Sequence, residues 1–183
     1  MKTQYYTATS INGYIADKNH SIDWLLQFGP IEGMEDFFNG IGAAAMGSTT
    51  YEWLLKQQKK QEDTRIWPYK FPIWVFSSRN LPALPNADIR FAKGDVAAYH
   101  TEMMKAAKGK NIWLIGGGDL VAQFHDHGLL DEVILSVAPV MLESGAKLLP
   151  RKITSPPLKL IDVQKHEEVF AVLTYKVKKN AEN

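Results

Sequence analysis

The residues best suited to chemistry in this chain stand in three short clusters, each at the end of an apolar run. Gly116-Gly117-Gly118 follow Ile112 to Ile115, an apolar run with β-branched residues that suits a strand buried on both faces. They precede Leu120, Val121 and Phe124, which fall on one helical face. A strand that feeds a helix through glycines leaves bare N–H groups at the helix N-terminus, where a phosphate binds. Gly47-Ser48-Thr49-Thr50 repeats that order and adds hydroxyl donors. Ser77-Ser78-Arg79 closes the run Ile73 to Phe76 with two hydroxyls and a guanidinium, groups that suit a phosphate. The triple glycine also reads as a tight turn without a ligand, and Gly47 to Thr50 as an ordinary helix start. Thr49 and Glu52 have the spacing of a capping box, which needs no ligand.

The elements around these clusters follow from periodicity and turn residues. Thr3 to Ser10 reads as a first strand, Asn12-Gly13 as a turn, and Tyr14 to Ala16 as a second extended run. Met34 to Ile41 reads as a helix with Phe37, Phe38 and Ile41 inward, and Ala43 to Met46 as a strand. A helix runs from Thr49 to about Gln57, and the polar stretch Lys56 to Arg65 is solvated. Asp95 caps a helix whose stripe is Val96, Tyr99, Met103 and Ala107. Glu132 to Val137 is a strand, Pro139 to Leu149 a loop hinged at Gly145, and Leu158 to Val163 pairs with Val169 to Val177 as a hairpin. The pattern predicts an α/β fold: a mixed, mainly parallel sheet flanked by helices on both faces, with a C-terminal antiparallel hairpin. Residues 1–178 form one domain, and 179–183 are a polar tail. Ligands of such sheets bind beyond the carboxyl ends of the strands, where Gly47, Ser77 and Gly116 stand.

Composition narrows the classes. A net charge of +1 argues against a nucleic-acid binder working through a broad basic patch. The chain has no cysteine, which excludes disulfides and thiolate chemistry. No apolar run approaches the ~20 residues needed to span a bilayer, and Met1 to Tyr5 lack the apolar core of a signal peptide. The expectation is a cytoplasmic protein with no nucleic-acid or membrane partner. Gly40-Ile41-Gly42-Ala43-Ala44-Ala45 matches the dinucleotide fingerprint as a string but precedes a strand, so it is set aside. In the triple glycine, Val121 takes the place of the third fingerprint glycine, so an ordinary Rossmann domain is not supported. His125 and His127 lie two apart on a helix and make a poor metal pair, so no metal site is expected. No Walker lysine follows a glycine loop.

Four pieces in order give a resemblance: Ala8-Thr-Ser-Ile-Asn-Gly-Tyr-Ile-Ala16, Ala45-Met-Gly-Ser-Thr-Thr-Tyr-Glu52, Val75-Phe-Ser-Ser-Arg79 and Ile115-Gly-Gly-Gly-Asp-Leu120. Gly128-Leu-Leu-Asp-Glu-Val133, Pro139-Val140 and Gly145 add to it. The chain resembles the dihydrofolate-reductase-like superfamily, above all the reductase-domain family of the bacterial riboflavin-biosynthesis deaminase–reductase.

That resemblance implies an NADPH-dependent reductase, commonly a homodimer, acting on a C=N or C=O group of a small pteridine, pyrimidine or sugar-derived substrate. It implies that Ala8 and Ile15 border the nicotinamide and that Gly47, Ser48, Thr49 and Thr50 hold the pyrophosphate region. Ser77, Ser78 and Arg79 would face the adenosine 2′-phosphate, and Gly116, Gly117, Gly118, Asp119 and Leu120 the bridging phosphates. It also implies a cis peptide between Gly116 and Gly117. Asn12, Phe38, Thr50 and Leu54 would meet the substrate. Two positions depart from the family. Ser48 stands where an arginine is frequent, which leaves Arg79 to discriminate NADPH from NADH. Asn12 stands where many relatives have aspartate, and an amide cannot deliver a proton as a carboxylic acid does, so no catalytic residue is assigned. A carboxylate of the folate-reductase kind would fall near Met34 to Asp36. The alternative is a dinucleotide-binding module without catalysis.

Overall fold

The structure, a computed structural model, describes residues 1–29, 34–60, 69–85, 87–166 and 168–179. Residues 61–65 of the polar stretch and 180–183 of the tail therefore lie outside the described residues. An eight-stranded sheet dominates. In chain order its strands are β1 (Thr3–Ser10), β3 (Ile41–Gly47), β4 (Ile73–Phe76), β5 (Ile89–Ala92), β6 (Asn111–Gly116), β7 (Glu132–Ala138), β9 (Lys159–His166) and β10 (Phe170–Lys176). The spatial order is β5-β4-β3-β6-β1-β7-β10-β9. The pairs from β5 to β7 are parallel, and β10 and β9 close the sheet antiparallel. Two short strands, β2 (Tyr14–Asp17) and β8 (Gly145–Lys147), pair antiparallel beside it. The loop expected over 139–149 thus contains a strand, which β2 recruits. Strand β9 also runs on to His166, through residues expected to form the hairpin turn.

Helices cover both faces. Alternation along the central strands explains why: Ala43 and Ala45 of β3, Ile112 and Leu114 of β6 and Trp74 of β4 enter one core cluster. Ala44, Met46, Trp113, Ile73 and Val75, their neighbours in sequence, enter the other. The first core is closed by α4 (Val96–Ala107) and α5 (Gly118–Asp126), through Val96, Met103, Val121 and Phe124. The second is closed by α2 (Met34–Asn39) and α3 (Ser48–Lys60), through Phe37, Phe38, Tyr51 and Leu54. A further short helix, α1 (Asp23–Leu26), precedes them. Helix α4 is capped as the sequence predicts, with the Asp95 carboxylate accepting from Ala97 N–H at 2.9 Å. Ile41 opens β3, although its helical spacing placed it in the preceding helix.

The small residues of β3 let α4 approach closely. A Cβ at Gly42 would collide with the backbone carbonyl of Ala107 at the end of α4. That contact accounts for the glycine whose string mimics a dinucleotide fingerprint. No helix among the described residues is long and apolar enough to cross a membrane.

Candidate functional site

Strand register brings the three clusters to one edge. Gly47 is level with Phe76, and Met46 is level with Gly116, so β3, β4 and β6 end side by side. The bends 46–50, 76–79 and 115–120 therefore line a single rim, where α3 and α5 also begin. The approach is close: a Cβ on Gly47 would lie 3.8 Å from the Gly117 nitrogen, and one on Gly116 would lie 3.7 Å from Thr50 Oγ1. Beside this rim the sheet parts. The β1–β6 ladder ends at Tyr5 opposite Leu114, while β1 continues alone with β7 to Ser10 opposite Ala138. Parallel strands that diverge in this way open a crevice at their carboxyl ends.

The triple glycine divides into three roles. Gly116 takes φ 141°, and the peptide to Gly117 is cis, as the resemblance implied. Gly117 caps α5 without a side-chain hydrogen bond, and a Cβ there would meet nothing within 4 Å. A Cβ at Gly118 would collide with the Lys147 carbonyl and lie 2.7 Å from the Leu148 carbonyl. Gly118 is thus a packing glycine, whereas Gly117 faces open space. The Leu120 N–H donates to Gly117 O at 3.0 Å and its side chain is buried in the core, so Leu120 is framework. Asp119 is exposed in the first turn of α5.

The other two bends are partly engaged. Helix α3 begins at Ser48, and Thr49 stands exposed inside it. The capping box expected from Thr49 and Glu52 is not the arrangement found, because the Glu52 carboxylate receives a fork from Arg79 at 2.9 and 2.8 Å. Ser77 Oγ donates to Arg79 O at 3.0 Å and accepts from Arg79 N–H at 2.9 Å, closing the turn on itself. Ser78 is exposed.

At the first turn, Asn12 is occupied. Its Nδ2 donates to Leu142 O at 2.6 Å, and its Oδ1 accepts from Leu142 N–H at 3.1 Å and from Ser10 Oγ at 2.9 Å. The amide expected to meet a substrate instead ties down the loop after β7. Ala8 and Ile15 are half-buried, Ala8 being level with Ser136.

On the face covered by α2 and α3, an aromatic group forms around Trp113. Phe37, Phe38 and Tyr69 meet its ring edge-on at 5.6, 5.4 and 5.6 Å between centroids. Tyr6 packs edge-on against Phe37 at 4.8 Å, and its carbonyl accepts from Trp113 Nε1 at 3.0 Å. Phe38 and Leu54, named as substrate walls by the resemblance, both pack half-buried against this cluster. Burial raises the Tyr51 and Tyr69 phenols above their ordinary value, keeping both neutral. Tyr6, absent from the residues singled out by sequence, is the first β1 residue beyond the β1–β6 ladder, and its Oη accepts from Ser136 Oγ at 3.2 Å. Its signal was available: Ala8 and Tyr6 lie two apart on one strand and so share a face. Glu35 and Asp36 of α2 are exposed. Among the described residues no group of three or more His, Asp or Glu stands together to hold a metal ion.

Relatives bear on this geometry. The model of the RibD C-terminal domain family matches residues 54–172. The uncharacterized protein YwjB of Bacillus subtilis (strain 168) is 31% identical over 161 residues, covering 87% of this chain and 88% of that protein. A protein of Shewanella sp. PV-4, described as a riboflavin biosynthesis protein, superposes with a TM-score of 0.78 at 25% identity, covering 98% of this chain and 100% of that one. Dihydrofolate reductase of Enterococcus faecalis, solved with NADP(H), shares the fold with a TM-score of 0.59 at 12% identity, covering 96% of this chain and 95% of that one.

Proposed function

The chain belongs to the RibD C-terminal domain family and has the dihydrofolate-reductase-like fold, and from that premise we propose that it is an NADPH-dependent reductase of a small pteridine, pyrimidine or sugar-derived substrate. One observation carries the reading. Three glycine- and hydroxyl-bearing bends share a single rim beside the parting of β1 from β6.

The residues present fit a dinucleotide. Gly117 leaves open space at an uncapped helix start, which admits a phosphate close to the backbone. In our assignment Gly47, Ser48, Thr49 and Thr50 hold the pyrophosphate region from the start of α3, and Gly116, Gly117 and Asp119 hold it from the start of α5, while Gly118 seats that helix against Lys147 and Leu148. Leu120 anchors that second helix in the core. Ser77, Ser78 and Arg79 take the adenosine 2′-phosphate, and Ala8 and Ile15 border the nicotinamide end. NADPH, when bound, supplies the hydride. The protein aligns donor and acceptor carbons and excludes water. Phe38 and Leu54 wall the substrate side through the aromatic cluster, and Asn12 acts by fixing the loop at Leu142. Tyr6 Oη, supported by Ser136 Oγ, is the proton-bearing group we place beside the crevice.

Following NADPH oxidation against a panel of carbonyl compounds, dihydropterins and aminopyrimidines tests the proposal. Turnover of at least one class is expected. A second reading, a non-catalytic dinucleotide-binding module, draws on Asn12, whose amide carries no acidic proton and is engaged by Leu142. Tight NADPH binding with no oxidation across the panel decides for the module. We further propose a cytoplasmic homodimer. The open edge strand β9 leaves Leu160, Ile161 and Val163 about half exposed (48%, 47% and 58%), a surface suited to a second copy. Sedimentation of the purified chain as a monomer at micromolar concentration would rule that assembly out.

A further inference from the structure

Arg79 is the cation on which the choice of a 2′-phosphorylated cofactor depends in the reading above, and it is not free. Both terminal guanidinium nitrogens bind the two carboxylate oxygens of Glu52, at 2.9 and 2.8 Å. Such a fork uses the geometry with which arginine otherwise grips a phosphate. Glu52 stands four residues after Ser48, so the two share a face of α3. The Ser77 hydroxyl is also engaged, closing onto Arg79's own backbone. The rim therefore meets an incoming 2′-phosphate with a carboxylate already seated on its arginine, and with a serine at position 48.

A 2′-phosphate dianion has to draw Arg79 away from Glu52 before the guanidinium can grip it. A 2′-hydroxyl carries no charge and makes no such demand on Arg79. The side chains of Arg79 and Glu52 are 57% and 36% exposed, so the pair adds little to stability. Its effect is on competition for one guanidinium, and salt screens it.

We propose that Glu52 sets the dinucleotide preference of this chain: it holds Arg79 against α3 and narrows the advantage of NADPH, so that NADH is accepted as well. Glu52 is a positioning residue, acting through Arg79, and the proposal rests on the rim being a dinucleotide site.

The test measures dissociation constants for NADPH and NADH by calorimetry on the full chain. The set is wild type, Glu52→Gln, Glu52→Ala, Arg79→Ala and the double variant Glu52→Gln/Arg79→Ala. The ratio of the NADH to the NADPH constant should rise about fivefold on neutralising Glu52, the scale of one exposed ion pair. The gain should come from tighter NADPH binding and shrink as salt rises from about 0.05 to 0.3 M. Without Arg79, neutralising Glu52 should leave the ratio unchanged, a coupling that a merely structural role does not produce. An unchanged or lower ratio in both Glu52 variants, with wild-type binding intact, overturns the role of Glu52 alone. A wild-type chain that binds neither dinucleotide overturns the site and this proposal with it.

Discussion

Asn12 and Leu142, 130 residues apart, are clamped side chain to backbone by two hydrogen bonds of 2.6 and 3.1 Å. The turn between β1 and β2 and the loop after β7 are thereby one unit, reinforced by the Ile11 N–H to Val140 O bond at 2.8 Å. Replacing Asn12 by alanine removes both bonds, and each net hydrogen bond is worth roughly 0.5–1.5 kcal/mol. Asn12→Ala should lower stability by about 1–2 kcal/mol in urea unfolding and expose the loop around Leu142 to limited proteolysis. Asn12→Asp should show a milder version of that cleavage, since a carboxylate still accepts from the Leu142 N–H but cannot donate to the Leu142 carbonyl.

Neighbouring glycines should separate folding from binding. Gly118→Ala forces a methyl into the carbonyls of Lys147 and Leu148, and misfits of this kind cost about 1–3 kcal/mol or more. Gly117→Ala meets nothing within 4 Å and should lose only the small preference for glycine over alanine at a helix start, less than Gly118→Ala loses, while weakening NADPH binding. A loss in Gly117→Ala as large as that in Gly118→Ala would contradict the open space seen there.

A ligand at 100 times its dissociation constant stabilises a fold by ~2.7 kcal/mol, enough for a clear thermal shift. NADPH should raise the melting temperature of the wild-type chain more than NADH does at equal concentration. Arg79→Ala should shrink the difference between the two. If the difference survives that substitution, Arg79 does not meet the 2′-phosphate.

Tyr6→Phe deletes the hydroxyl that accepts from Ser136 Oγ. General acid assistance typically contributes 10²–10⁴-fold. The variant should lose about that factor in kcat on a substrate the wild type turns over, with the dissociation constant for NADPH unchanged. Equal kcat in the two proteins removes Tyr6 from proton delivery.

His100 links stability to pH. Its Nε2 lies 2.9 Å from Thr3 Oγ1 and its ring packs on Phe124 at 6.1 Å. Burial lowers its pKa below the ordinary 6.5, with the Asp131 carboxylate opposing and Lys179 adding to the shift. The folded chain therefore takes up a proton at lower pH than the unfolded chain does. The contribution is complete above pH 6.5 and drains away as pH falls from there through the lower folded value. Urea midpoints should drop between pH 7.5 and 5.5, and less so in His100→Gln.

Much of the fold was legible because its signals are local. The buried strand at Ala43 to Met46 and the cap at Asp95 follow from an apolar run and from backbone chemistry that a short window contains. What escaped depends on distant partners. Nothing near residue 145 announces β8, which exists because β2 lies opposite. Glu52 has the spacing of a cap, yet a residue 27 positions later claims its carboxylate. Gly42 and Gly118 look like ligand glycines in sequence, and both answer to neighbouring backbone. The rim itself was foreseeable in part, since a parallel sheet puts the carboxyl ends of its strands along one edge, and the adjacency of β4, β3 and β6 then brings the three bends together.

The forking of β1 from β6 after Tyr5 and Leu114 has a wider consequence. Past that point the ladder is two half-sheets, one ending in β6 and the other beginning with β1, joined only farther down like the legs of a compass. Whatever lodges between them meets side chains, whereas the ladder of β1 with β7 is made by backbone. Evolution can therefore exchange those side chains, and with them the molecule held there, without disturbing the backbone hydrogen bonds that make the scaffold.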